Sequence, residues 1–96
     1  MAFAVMNVVT TPPDEAAGLL AQIEPVYRER LPRQPGFRSA RLYRAEDQSQ
    51  IVTIVEWESR DQFLAYRQSD QGRQDVAGVV AMHPKISFLE VVAVVT

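Results

Sequence analysis

The chain has no cysteine, one tryptophan, one histidine and four glycines among its 96 residues. Without cysteine there is no disulfide framework, no thiolate nucleophile and no Cys-based metal site. A single histidine cannot build an ordinary zinc site either. Net charge is −2 and no basic stripe interleaves with aromatics, which argues against nucleic acid as a partner. No apolar run reaches the roughly 18 residues of a membrane span. The stretch from Met1 to Asn7 lacks the basic start and long apolar core of a secretory signal. The expectation from these absences is a cytoplasmic protein with no membrane and no metal.

Hydrophobic residues make up 47% of the chain, and the length suits one domain spanning residues 1–96. A domain of this size buries a modest share of its surface and is marginal alone. Four stretches read as strands: Phe3 to Thr10, Phe37 to Arg44, Gln50 to Glu58 and Ile86 to Val95. Phe3, Val5, Asn7 and Val9 share one face of the first strand, and Ala4, Met6 and Val8 the other. A polar loop, Ala45 to Ser49, joins the second and third strands as a hairpin.

Three helical pieces lie between the strands. Thr11 can cap the first, with Pro12 at its first position and Asp14 as the reciprocal carboxylate. Leu19, Leu20, Ile23, Val26, Tyr27 and Leu31 then form one buried stripe, and Pro25 should bend the helix. Ser59-Arg60-Asp61-Gln62 matches a capping box and opens the second helix. Ser69 to Gly72 reads as an interruption before a third piece, Gln74 to Met82, which Pro84 stops.

The order β-α-β-β-α-α-β is that of an α+β, ferredoxin-like split βαβ fold, a four-stranded antiparallel sheet with helices on one face. The other face would carry Met6, Val8, Val52 and Ile54 and needs a cover. A second copy of the chain supplies one, so a homodimer with a pocket between sheet and helices is expected.

The run Pro35-Gly36-Phe37-Arg38-Ser39-Ala40-Arg41-Leu42-Tyr43-Arg44, then Val55-Glu56-Trp57-Glu58-Ser59 with Phe63, and finally Phe88-Leu89-Glu90-Val91-Val92, resembles the antibiotic biosynthesis monooxygenase domain. The resemblance covers nearly the whole chain and implies a dimeric α+β barrel. The best-understood members oxygenate anthrone-type aromatic polyketides with dioxygen and need no metal, flavin or haem. An anthrone forms an electron-rich enolate that reacts with dioxygen directly. The protein must supply a dry pocket and donors for the anionic oxygen. Other members oxidise quinols, degrade haem or isomerise small molecules. Haem-degrading members carry their iron-ligating histidine about where Val76 stands, which argues against haem.

The site candidates follow. Trp57 matches the pocket tryptophan of the anthrone oxygenases, and a buried indole N–H needs a partner. Asn7 is a polar interruption of an apolar strand face, and an unsatisfied buried amide costs about 1–3 kcal/mol. Tyr66 could donate to a substrate oxygen. These three are the catalytic candidates. Thr53, Phe63, Arg67, Tyr27 and His83 are the candidates for substrate contact. Thr53 departs from the family pattern, since the anthrone oxygenases carry an asparagine four positions before the tryptophan. His83, the lone imidazole, is a natural proton acceptor, although a residue just before proline also reads as an exposed cap. The expected function is a cofactor-independent monooxygenase acting on an aromatic phenol, anthrone or quinol. The alternative is a non-redox binding or accessory protein, or a cofactor-free isomerase or cyclase, on the same scaffold.

Overall fold

The sheet is built outward from strand β1, Phe3–Thr10, which pairs with a neighbour on each side. The computed structural model describes residues 2–96. Strands β2 (Phe37–Arg44), β3 (Gln50–Trp57) and β4 (Lys85–Glu90) complete a sheet of order β2-β3-β1-β4, antiparallel throughout. Helices α1 (Ala16–Pro25), α2 (Arg60–Gln68) and α3 (Asp70–Val80) make this the ferredoxin-like α+β fold.

Alternation sorts the side chains. On β3, Ile51, Thr53, Val55 and Trp57 are buried, while the residues between them are partly or fully exposed. Opposite them on β1 stand Val9, Asn7, Val5 and Phe3. Together with Ile23, Tyr27, Leu31, Phe63 and Tyr66 from the helical layer, most of these form the core. The reverse face presents Met6 and Val8 beside Val52 and Ile54, all partly exposed, with Arg41 and Tyr43 from β2. Arg38 is an extra residue on β2, a bulge that shifts the register beyond Phe37.

Three boundaries differ from the sequence expectation. The first helix opens with a single tight turn, Pro13–Glu15, preceded by an extended Pro12, and has no side-chain cap. Pro12 and Pro13 have no N–H to offer, and the Thr11 hydroxyl instead donates to the Pro12 carbonyl at 3.2 Å. The third helix begins at Asp70 rather than Gln74. Ser69 is its cap, accepting from Gly72 N–H at 3.0 Å, so the supposed interruption is a helix start. Finally, β4 stops at Glu90, and Val91–Thr96 form no strand. Glu90 already stands opposite Phe3, the first residue of β1, and one further bond from Val91 N–H to the Ala2 carbonyl ends the ladder. The apolar tail has no strand left to pair with, and Val92, Val94 and Val95 lie exposed.

Two local devices set up the site. Pro25 interrupts the first helix, and the chain continues through a wide π turn, Val26–Arg30. Gly72 sits where a Cβ would collide with the Tyr66 carbonyl, so only glycine lets α3 start this close to the end of α2.

Candidate active site

A pocket lies between the covered sheet face and the helices and, with its open mouth, takes in about 610 Å³. Its walls are chiefly apolar, with Val26, Leu31, Val55, Val76 and Val79 among them. Val80 and Ile86, both about half exposed, also line it and mark its mouth. Trp57 ends β3 against this pocket and is 1% exposed. Its ring packs on Phe37, Phe63 and Tyr66 at centroid distances of 6.1, 5.9 and 5.4 Å. Its indole N–H has no hydrogen-bond partner among the described residues, yet it is not sealed from open space.

Asn7, Thr53 and Tyr27 form one polar cluster. Antiparallel register sets Asn7 opposite Thr53. The Asn7 amide donates to the Thr53 hydroxyl at 3.3 Å, and the Tyr27 hydroxyl donates to the same oxygen at 3.1 Å. Asn7 and Tyr27 line the pocket, while Thr53 lies beneath them and is not on the wall. Burial pushes the Tyr27 phenol above its ordinary pKa, with the Thr53 hydrogen bond pulling weakly the other way.

A second cluster, in which only Tyr66 was a sequence candidate, centres on Asp75 of α3. Its side chain is 1% exposed. The Tyr66 hydroxyl donates to Oδ2 at 2.7 Å, and Arg30 Nη1 and Gln71 Nε2 donate to Oδ1 at 2.6 and 2.9 Å. Gly72 brings α3 against α2, and Asp75, three residues on, shares its helix face. The π turn carries Arg30 to the same point. Burial first, and then the Asp75 hydrogen bond and charge, hold the Tyr66 phenol far above its ordinary pKa. Asp75 recurs with Gly72 and Val79 at spacings of three and four, so a charged residue on a buried stripe was the available signal.

Phe63 and Arg67 also line the pocket. Arg67 makes no ion pair among the described residues, the two pairs being Arg28–Glu24 and Arg30–Asp75. His83 lies elsewhere: it is exposed, off the pocket wall, and holds a left-handed φ of 53° before Pro84. No group of three or more His, Cys, Asp or Glu residues among the described residues could hold a metal ion. No helix among them is long and apolar enough to cross a membrane.

The family model for antibiotic biosynthesis monooxygenase matches residues 2–77. The chain belongs to that family. No curated protein matches it. Among solved structures, Rv0793 from Mycobacterium tuberculosis is 20% identical over 100% of both chains, with a TM-score of 0.82. SnoaB, a cofactor-independent oxygenase from Streptomyces nogalater, is 20% identical over 99% of this chain and 94% of its own, at a TM-score of 0.69. The ActVA-Orf6 monooxygenase from Streptomyces coelicolor, solved with nanaomycin D, is 21% identical over 99% and 90%, at a TM-score of 0.71. At these identities the likeness is one of fold.

Proposed function

We propose that this family member is a cofactor-independent monooxygenase that oxidises an aromatic phenol, anthrone or quinol with dioxygen. The supporting observation is an apolar pocket lined by Trp57 and Arg67, whose indole N–H and guanidinium have no partner among the described residues. Such a site favours a flat aromatic that becomes an anion. Deprotonation gives an enolate or phenolate whose electron density at carbon can react with dioxygen. The Trp57 N–H and the Arg67 charge meet the negative oxygen in a water-poor pocket, where such contacts are strongest. Asn7 and Phe63 position the ring. The similarity of fold to an oxygenase described as cofactor-independent agrees with this chemistry.

A non-redox binding role on the same scaffold rests on Thr53. The Asn7 amide nitrogen turns down onto that hydroxyl rather than into the pocket, so one expected donor is engaged. Oxygen uptake decides between the two readings. With purified, metal-free protein and dithranol as a generic anthrone, uptake above autoxidation should occur, and it should drop about tenfold or more in Trp57→Phe and Asn7→Ala. Uptake no faster than background, with quinols tried next, would leave the binding role.

The working unit in this reading is a homodimer, closed over the face of Met6, Val8, Val52 and Ile54. Light scattering should return twice the chain mass of 10.8 kDa. A stable monomer would end the dimer reading.

A further inference from the structure

Asp75 has no part in the reading above, although it is the most deeply buried charged side chain at the pocket. Both of its oxygens accept hydrogen bonds: Oδ1 from Arg30 and Gln71, Oδ2 from Tyr66. That is the arrangement of an ionised carboxylate, which has no proton to give. The hydrogen between Tyr66 and Asp75 is therefore the tyrosine's own. A phenol that spends its one proton on Asp75 has only lone pairs left for the pocket. Tyr66 is thus an acceptor toward the ligand, the opposite polarity from the donor suggested by its residue type.

We infer that Asp75 acts through Tyr66 as a positioning residue, so that the pocket selects an aromatic carrying a free hydroxyl at that point and draws off its proton. This rests on the proposed function and specifies its substrate as a hydroxyl donor rather than a ketone or an ether. The transfer balances without another reactant. The ligand O–H gives its proton to Tyr66 Oη as the Tyr66 O–H gives its own to Asp75 Oδ2. The ligand becomes a phenolate, Tyr66 is a phenol before and after, and Asp75 becomes a carboxylic acid. The negative charge has moved from Asp75 to the ligand, where Arg67 and Trp57 line the same pocket. Tyr66 never needs to exist as a phenolate, in keeping with the burial that holds its pKa high.

The test pairs 4-nitrophenol, whose colour reports its ionisation, with 4-nitroanisole, which has the same outline and no proton to donate. Calorimetry on the whole protein should find the ether bound about tenfold more weakly, the cost of leaving a buried acceptor unmatched. Absorbance should show bound nitrophenol ionised at a pH where the free compound is mostly neutral. Tyr66→Phe leaves the Arg30–Asp75 pair in place and should bring the two affinities within about twofold. Asp75→Asn, checked for folding by circular dichroism, should abolish the ionisation signal. Equal binding of both ligands by the unmodified protein, or discrimination that survives in Tyr66→Phe, overturns the inference. So does binding of neither. Failure of oxygen uptake with dithranol while the discrimination stands would remove the oxygenase reading and leave the hydroxyl selection intact.

Discussion

The two polar clusters around the pocket are made in different ways. The Asn7–Thr53–Tyr27 cluster is neutral and rests on strand register, with two donors sharing one hydroxyl. The Asp75 cluster carries charge and rests on a helix joint, with three donors converging on one carboxylate. A neutral cluster on a sheet can fix shape. It cannot take up a proton without creating a charge in a poorly solvated place. The charged cluster already holds that charge and has a half-exposed arginine to balance it. The contrast assigns orientation to the sheet wall and proton handling to the helix wall.

The contrast breaks most sharply at Asp75. Asp75→Ala removes the acceptor of three hydrogen bonds and strands Arg30, and should cost about 3 kcal/mol by denaturant unfolding. A loss under about 0.5 kcal/mol would mean the cluster is not formed in solution. Thr53→Val keeps the volume and deletes the shared hydroxyl. It should cost a smaller amount, about 1–2 kcal/mol, because Asn7 lines the pocket and can turn to water there. If Thr53→Val costs more than Asp75→Ala, the ranking of the two clusters is wrong.

The smallest effect is in alkali. Both buried tyrosines ionise less readily folded than unfolded, where the ordinary value is 10.0. Their contribution to stability is therefore complete below that value and is lost as pH climbs toward the folded ones. Unfolding measured at about pH 9 and about pH 11 should show this loss. Tyr66→Phe should flatten it more than Tyr27→Phe, since Tyr66 is held up by the Asp75 charge as well as by burial. Equal flattening would say that burial alone matters.

The sheet was legible because alternation along Phe3–Thr10 and Gln50–Trp57 records which face is covered. Trp57 and Asn7 were legible from the family resemblance and from their places on a covered strand face, Tyr27 from the first helix's apolar stripe, and Phe63, Tyr66 and Arg67 from the second helix; the pocket brings the six together. Thr53 was read as a wall residue from its place in the family pattern and His83 from its chemistry, and strand packing and a left-handed turn put them elsewhere. Asp75 escaped for a local reason. Asp75 lay inside the expected third helical piece, but taking Ser69 to Gly72 as a break hid the close joint that sets it against Tyr66, because no periodic pattern reveals that a glycine is there for close approach rather than for flexibility. Arg30 escaped because a π turn shifts its direction off the 3.6-residue pattern. The reading of β4 ran too long because strand propensity does not record where its partner strand ends.

The π turn at Val26–Arg30 has an evolutionary reading. Such a turn is equivalent to one residue inserted into an α-helix. Losing a single residue there would restore regular winding and swing Tyr27 and Arg30 by about 100° around the helix axis. Both polar clusters would lose a member together while the sheet stayed as it is.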